Sequence, residues 1–426
     1  MNVGSKPLVL GRARRLPAPA SALPLVGLAI FTFFDVTSRW SDLFTEFGIY
    51  LALFGLLLRP QDLSFPPPLR WALALLLWMA LTAVLAIAPE TAGDALVERL
   101  KALVIFFVVI NTLRTPQQLR FYLLLILVAF LIYPVRGALQ NYVHGYTVFG
   151  RAIWNKIYAN ANDLASITLL MTGLALSIAT VKTQSSRVRW AVALTVPVML
   201  TLLLLTQSRG AFLGLLVGFG PPVLARIRKR PALLAGPVLI VACVIAVLVP
   251  RAAWHRLEGI TKLTSSETIA QADTQGSAEN RLQIMKTAWH IFITNPVVGV
   301  GIGCYNEANE RYAPELGKRD AHNTYLGLAA ETGLPGLVLW LGLVGSVLLQ
   351  LRRRRQAIEA DDRTIQVLWI RKAMVAYLVA GLFASYSGLT VFYLFLGILW
   401  VAANALGSPP ATERRAPFIR RPNRPR

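Results

Sequence analysis

Long apolar runs alternate with short polar segments along most of this chain. Several of these runs are about 17 to 25 residues long, which is the length a helix needs to cross the hydrocarbon core of a bilayer. The pattern predicts an all-α polytopic membrane protein with about twelve transmembrane helices. The predicted spans are residues 21–34, 43–58, 71–88, 102–113, 121–139, 163–181, 190–206, 211–225, 232–249, 322–350, 373–389 and 391–406.

The charge between the spans predicts their orientation, because Lys and Arg are retained on the cytoplasmic side of membrane helices. With both termini in the cytoplasm, most of the 43 basic residues fall in inner segments and most of the 21 acidic residues in outer ones. Membrane topology therefore accounts for the net charge of +22, and no nucleic-acid partner is expected.

The same pattern gives the domain organisation. Residues 1–407 form a single transmembrane domain, in which residues 250–321 make a large outer loop with short interfacial helices between the ninth and tenth spans. Residues 408–426 are rich in Pro and Arg, which predicts a disordered basic cytoplasmic tail. Cys243 lies in an apolar run and Cys304 in a polar loop, so neither a disulfide scaffold nor a cysteine-based zinc site is expected.

Two outer arginines are candidate anion ligands. Arg209 lies in the tight turn QSRGAF between two uncharged spans, where a guanidinium fork suits phosphate oxygens; the alternative is an arginine that only reaches the lipid headgroups. Arg281 lies in the first turn of a helix predicted at residues 277–293, where the helix dipole opposes a cation unless an anion is bound. The alternative there is a solvated charge.

A histidine begins the tenth span in the sequence AHNTYLGLAAETGLPG, residues 321–336. We expect His322 in the first turn of this helix, where the dipole disfavours the imidazolium form and keeps the histidine neutral, as a general base must be. The alternative is a histidine that caps the helix. Glu331 lies about 13 Å deeper by helix rise and is interpreted as a structural residue that hydrogen-bonds a neighbour.

The first outer loop interleaves aromatic and cationic residues, among them Arg136, Arg151 and Tyr158. This mixture suits sugar rings and anionic headgroups, although aromatic residues can also simply anchor a protein at the membrane surface. Asn162 and Asp163, at the end of this loop, are expected to cap the sixth span.

Neither a nucleotide nor a metal is expected from the outer loops. Gly299, Gly301 and Gly303 resemble the start of the dinucleotide fingerprint G-x-G-x-x-G. The last glycine of that pattern and its βαβ context are missing, so a flexible turn is expected there. The outer loops also contain no clustered Asp or His ligand set.

Taken together, these features resemble the O-antigen ligase and polymerase superfamily of bacterial envelope glycosyltransferases. The resemblance covers about residues 158–336. It rests on His322 and Asn323 with Glu331, Gly333 and Gly336, on the turn Ser208-Arg209-Gly210, and on Arg281 with the run from Trp289 to Gly301.

The resemblance implies transfer of a glycan from undecaprenyl diphosphate to an acceptor, on the periplasmic side of the bacterial inner membrane. It implies that Arg209 and Arg281 bind the diphosphate and that His322 removes the proton from the acceptor hydroxyl. Asn323 joins the first-loop residues as a possible donor or acceptor contact. No cofactor is implied, and a single displacement inverts the anomeric configuration.

Within the superfamily, the single long loop with its Arg and His favours an O-antigen ligase, whose acceptor is the lipid A core. A polymerase that extends carrier-linked glycan and a protein O-oligosaccharyltransferase are the alternatives. A lipid-linked glycan transporter or a structural scaffold would also explain many spans. The nearly uncharged spans and the polar residues on one face favour an enzyme.

Overall fold

The computed structural model describes residues 22–40, 42–182, 184–229, 277–355 and 362–405. The regular elements within these ranges are helical, which confirms the all-α class. The α-helices are α1 Leu23–Thr37, α2 Asp42–Leu57, α3 Pro67–Val84, α4 Pro89–Thr112, α5 Pro116–Phe130, α6 Arg136–Val143, α7 Ala161–Ala179, α8 Ser186–Ala193, α9 Thr195–Leu205, α10 Arg209–Lys229, α11 Ser277–Thr294, α12 Tyr305–Tyr312, α13 Thr324–Arg355, α14 Asp362–Ala380 and α15 Thr390–Ala405.

Five segments among the described residues are long and apolar enough to cross a membrane, and with the shorter apolar helices they mark a membrane protein. The five are Pro67–Val84, Pro116–Val143, Ala161–Ala179, Ser186–Leu205 and Thr324–Leu349. Every predicted span within the described ranges overlaps a helix. The predicted span 232–249 and the tail 408–426 lie outside the described residues, so the count of twelve stays a prediction.

The end of α14 differs from the predicted span 373–389. The helix stops at Ala380, and residues 381–389, which we call the 381–389 segment, run without regular structure to α15. The segment reads GLFASYSGL, in which glycine and serine favour turns over helix even though the stretch remains apolar on average. Hydropathy alone therefore misplaced this helix end.

Helices α7, α10 and α14 pack closely through small residues. A side chain on Gly173 of α7 would overlap Ala373 of α14, and one on Gly214 of α10 would overlap the backbone of Ala376. Such contacts let helix backbones approach closely, which is how helices associate where lipid removes the hydrophobic driving force. Elsewhere α1 packs along α2, α13 along α3, and α15 along α4.

Helix α13 is interrupted at Gly333, whose φ of 68° and ψ of −175° are not helical. The carbonyls near this break accept hydrogen bonds from the loop that follows α11: Val300 donates to Ala330 at 2.9 Å and Gly301 to Glu331 at 2.9 Å. The turn expected to be flexible is thus held by backbone hydrogen bonds to α13.

Candidate active site

The turn before α13 is held by an asparagine cap. The Oδ1 atom of Asn323 accepts hydrogen bonds from the backbone N–H groups of Tyr325 and Leu326, at 3.0 Å each. His322 precedes this cap with φ of +49°, in the left-handed region. His322 therefore lies just outside the helix, not in its first turn as expected, and Asn323 takes the capping role.

The surroundings of the half-buried His322 favour its neutral form. Burial lowers the pKa of the imidazole below its usual 6.5, and the positive charges of Arg281 and Arg319 lower it further, while Asp320 opposes both effects. Arg281, which is remote in sequence, thus lies within electrostatic reach of His322. A neutral imidazole at neutral pH can accept a proton.

The 381–389 segment fixes the start of α13. The backbone N–H of Thr324 donates to the carbonyl of Gly381 at 2.8 Å, and its hydroxyl donates to the carbonyl of Ala384 at 2.7 Å. The same hydroxyl accepts the backbone N–H of Tyr386 at 2.9 Å. Three hydrogen bonds to one residue hold the His322 turn against this segment.

Tyr386 links the segment to the first outer loop and to α7. Its buried hydroxyl donates to the backbone carbonyl of Asn162 at 2.9 Å. Arg151 and Arg281 lie close enough to act on its phenol electrostatically. Tyr386 therefore lies near Arg151 and Arg281, both of which the sequence named as candidate site residues. Its position in an apolar run gave no signal in the sequence.

Arg151 joins three parts of the chain. Its guanidinium donates to Oδ1 of Asn162 at 2.6 Å and to the carbonyl of Thr206 at 2.7 Å. Thr206 lies just before the Ser208-Arg209-Gly210 turn, where α10 begins. On the far side of that turn, a side chain on Gly210 would press against Phe383 of the 381–389 segment. Gly210, the residue after half-buried Arg209, therefore borders the same segment as the His322 turn.

The carboxylates of Asp320 and Asp163 were not among the expected site residues. Asp320 acts electrostatically on His322 and also on Asp163, in the first turn of α7. Asn160 caps α7 by accepting the N–H of Asn162 at 2.8 Å, which corrects the capping role expected for Asn162 and Asp163. Asp163 therefore does not cap α7, and it lies within electrostatic reach of Asp320.

The other first-loop candidates lie elsewhere. Tyr158 is fully buried, and its hydroxyl donates to the carbonyl of Val36 at 2.9 Å, so it packs against α1. Arg136 is exposed at the start of α6. The contacts of the described residues bring neither of them to the His322 turn.

Glu331 lies close to the break in α13 at Gly333 and binds the backbone at the start of α12. Its carboxylate accepts hydrogen bonds from the backbone N–H groups of Gly303 and Tyr305, and Arg99 of α4 acts on it electrostatically. The described part of the chain contains no group of three His, Cys, Asp or Glu side chains arranged to bind a metal. Metal-independent chemistry stays a prediction.

The hydrogen bonds of Thr324 make it the most sensitive polar residue of the turn. Thr324→Val removes the hydroxyl and leaves the buried N–H of Tyr386 without an acceptor, a cost of about 1–3 kcal/mol. We expect a lower unfolding temperature in detergent. Thr168→Val serves as the control, because the Thr168 hydroxyl makes only a local hydrogen bond to Leu164 in α7. Equal unfolding temperatures for the two variants would show that the 381–389 segment does not hold the turn.

Comparison with known proteins adds one match. Residues 194–341 match the model of the family described as O-antigen ligase. The matched range contains Arg209, Arg281, His322 and Glu331, and it supports the superfamily that the sequence resembles. No curated protein matches the chain significantly.

Proposed function

We propose that this membrane protein, whose residues 194–341 match the family model described as O-antigen ligase, transfers an O-antigen glycan from undecaprenyl diphosphate to the lipid A core. The observation that carries the proposal is the His322 turn. A half-buried histidine with a lowered pKa lies within electrostatic reach of Arg281, outside the end of a membrane-spanning helix. This arrangement suits a base next to an anionic leaving group.

In the proposed reaction, neutral His322 takes the proton from a hydroxyl group of the acceptor sugar. The hydroxyl oxygen attacks the anomeric carbon of the donor glycan, and the bond from that carbon to the diphosphate oxygen breaks. The electron pair leaves with the undecaprenyl diphosphate, whose charge Arg281 and Arg209 stabilise. One displacement inverts the anomeric configuration, and the proton on His322 passes to solvent.

Asp320 and Tyr386 are assigned positioning roles. Asp320 stabilises the imidazolium that forms after proton transfer, since its charge already raises the pKa of His322. Tyr386 contacts no reacting atom in this scheme. Its hydrogen bond to Asn162 fixes the 381–389 segment next to Arg151 and Arg281.

The test is complementation of a bacterial strain that lacks its own O-antigen ligase, with lipopolysaccharide separated on a gel. Laddered glycan attached to the lipid A core supports the ligase activity. Longer carrier-linked chains without attachment identify a polymerase, and glycan on protein identifies an oligosaccharyltransferase. Either of these last two results overturns the proposed acceptor.

The pH dependence of transfer tests the role of His322 as a base. Its neutral form is lost as the pH falls through its lowered pKa, so activity should decline only below pH 6.5, the ordinary value for histidine. Asp320→Asn removes the charge that raises this pKa and should move the acidic limb to lower pH. Arg319→Gln removes a charge that lowers it and should move the limb to higher pH.

These opposite shifts are measured as kcat/KM against pH for the purified protein in detergent. The two variants serve as controls for each other, because both change one charge next to the same histidine. Identical acidic limbs in wild type and both variants would mean that the limb belongs to another group.

A further inference from the structure

A cavity of about 310 Å³ opens beside the His322 turn. Asp320, Ala321 and Thr324 form one wall, so the cavity shares the residues that flank the histidine on both sides. Arg99 of α4 and Glu331 of α13 also line it. The reaction scheme above leaves this cavity unused.

The cavity combines one guanidinium with two carboxylates. Arg99 acts electrostatically on Glu331, and Asp320 adds a second negative charge. Ser385 and Ser387 contribute hydroxyl groups from the 381–389 segment. Carboxylates accept hydrogen bonds, guanidinium groups donate them, and serine hydroxyls do both. The lining therefore suits a ligand with many hydroxyl groups better than a further anion.

Two polar atoms at the cavity lack hydrogen-bond partners among the described residues. The Nε atom of Arg99 and the Oγ atom of Ser385 are buried, yet neither has a partner there. Buried polar atoms are normally paired, and each one left alone costs about 1–3 kcal/mol. A bound ligand that accepts from Arg99 and bonds with Ser385 would satisfy both.

Gly388 leaves room for Arg99 to reach into the cavity. A side chain at this position would overlap the Arg99 guanidinium, so any larger residue must displace it. The lack of a side chain at Gly388 is therefore what allows the Arg99 guanidinium to lie where it does.

We propose that this cavity binds one sugar ring of the acceptor glycan and presents its hydroxyl group to His322. The inference rests on the proposed transfer reaction and extends it to the acceptor subsite. The donor diphosphate is assigned to Arg281 and Arg209, neither of which lines this cavity. The volume lies at the small end of ligand pockets, which start at about 300 Å³, and so suits a single ring.

Arg99→Gln and Gly388→Ala test this assignment in different ways. The first removes the charge, and the second keeps the charge but displaces the guanidinium. With the purified protein, carrier-linked donor and lipid A core acceptor, we expect both to raise the acceptor KM about 10- to 100-fold, because hydrogen bonds to a charged group are lost. The donor KM should stay unchanged.

Gly345→Ala is the matched control, because a side chain at this position in α13 meets no atom within 4 Å. It should leave both KM values as in wild type. Size-exclusion profiles and unfolding temperatures show whether each variant folds. A raised donor KM with an unchanged acceptor KM overturns the assignment, as does an unchanged acceptor KM in both test variants.

Binding without turnover separates this inference from the proposed function. Saturation-transfer NMR with delipidated core oligosaccharide should show binding to wild type and to His322→Asn, and loss of binding in Arg99→Gln and Gly388→Ala. If this pattern holds but complementation attaches no glycan to the core, the ligase proposal fails and the sugar subsite stands. If binding survives in both cavity variants, the subsite assignment is wrong.

Discussion

Replacing His322 with alanine should reduce glycan transfer by about 10²- to 10⁴-fold, the contribution of a positioned general base. The acceptor hydroxyl then has no neutral acceptor for its proton at the point of attack. In a strain without its own ligase, the variant should leave bare lipid A core on the gel while carrier-linked glycan accumulates. The rate is measured with purified donor and acceptor.

The backbone at this position calls for a second substitution. His322 has φ of +49°, a left-handed conformation that asparagine tolerates better than alanine. His322→Asn keeps the turn but has no basic side chain, so it should be as inactive as His322→Ala. Full activity in His322→Asn alone would mean that the histidine only shapes the turn. His290→Ala, at an exposed position on α11, is the histidine control and should behave as wild type.

Replacing Arg281 with alanine should cost about 10²- to 10³-fold in kcat, the effect of removing one group that stabilises a developing negative charge. Arg209→Ala is expected to act in the same direction. Lysine at either position should restore only part of the activity, because an ammonium group lacks the planar fork that binds two phosphate oxygens at once.

Inhibition by inorganic diphosphate separates this role from a structural one. If Arg281 binds the leaving group, Arg281→Ala should need a higher diphosphate concentration for the same inhibition. Arg311→Ala, an exposed position on α12, should leave the inhibition unchanged. Equal inhibition of Arg281→Ala and wild type would assign the leaving group to other residues.

The helices could be predicted because each carries its own signal. Apolar runs located a helix at every predicted span within the described residues, and five of the helical segments there are long and apolar enough to cross a membrane. At the start of α13, asparagine is a residue type that favours a helix cap, but this role was not predicted for Asn323. The prediction placed His322 in the first turn of the helix, whereas the cap lies one residue after it.

Contacts between remote segments were not predictable in this way. Tyr386, Ser385 and Gly388 lie in a stretch that hydropathy assigns to a span, and only the fold shows that α14 ends at Ala380. Arg99 lies more than two hundred positions before Glu331 in the sequence, yet both line one cavity. Periodicity reports which face of a helix is apolar, but not which helix that face meets.

Hydropathy, length and side-chain chemistry are local properties, so the helical class, the membrane character and the residue types able to act as base and anion ligand could be predicted without a structure. Which of these residues meet depends on the tertiary structure. It brought Arg281 within electrostatic reach of His322 and set Asp320 near His322 and Asp163, with Asp320 acting on both residues only through its charge, whereas it buried Tyr158 against α1. These arrangements depend on close helix packing and on the irregular 381–389 segment, whose hydrogen bonds form only after distant parts of the chain have come together.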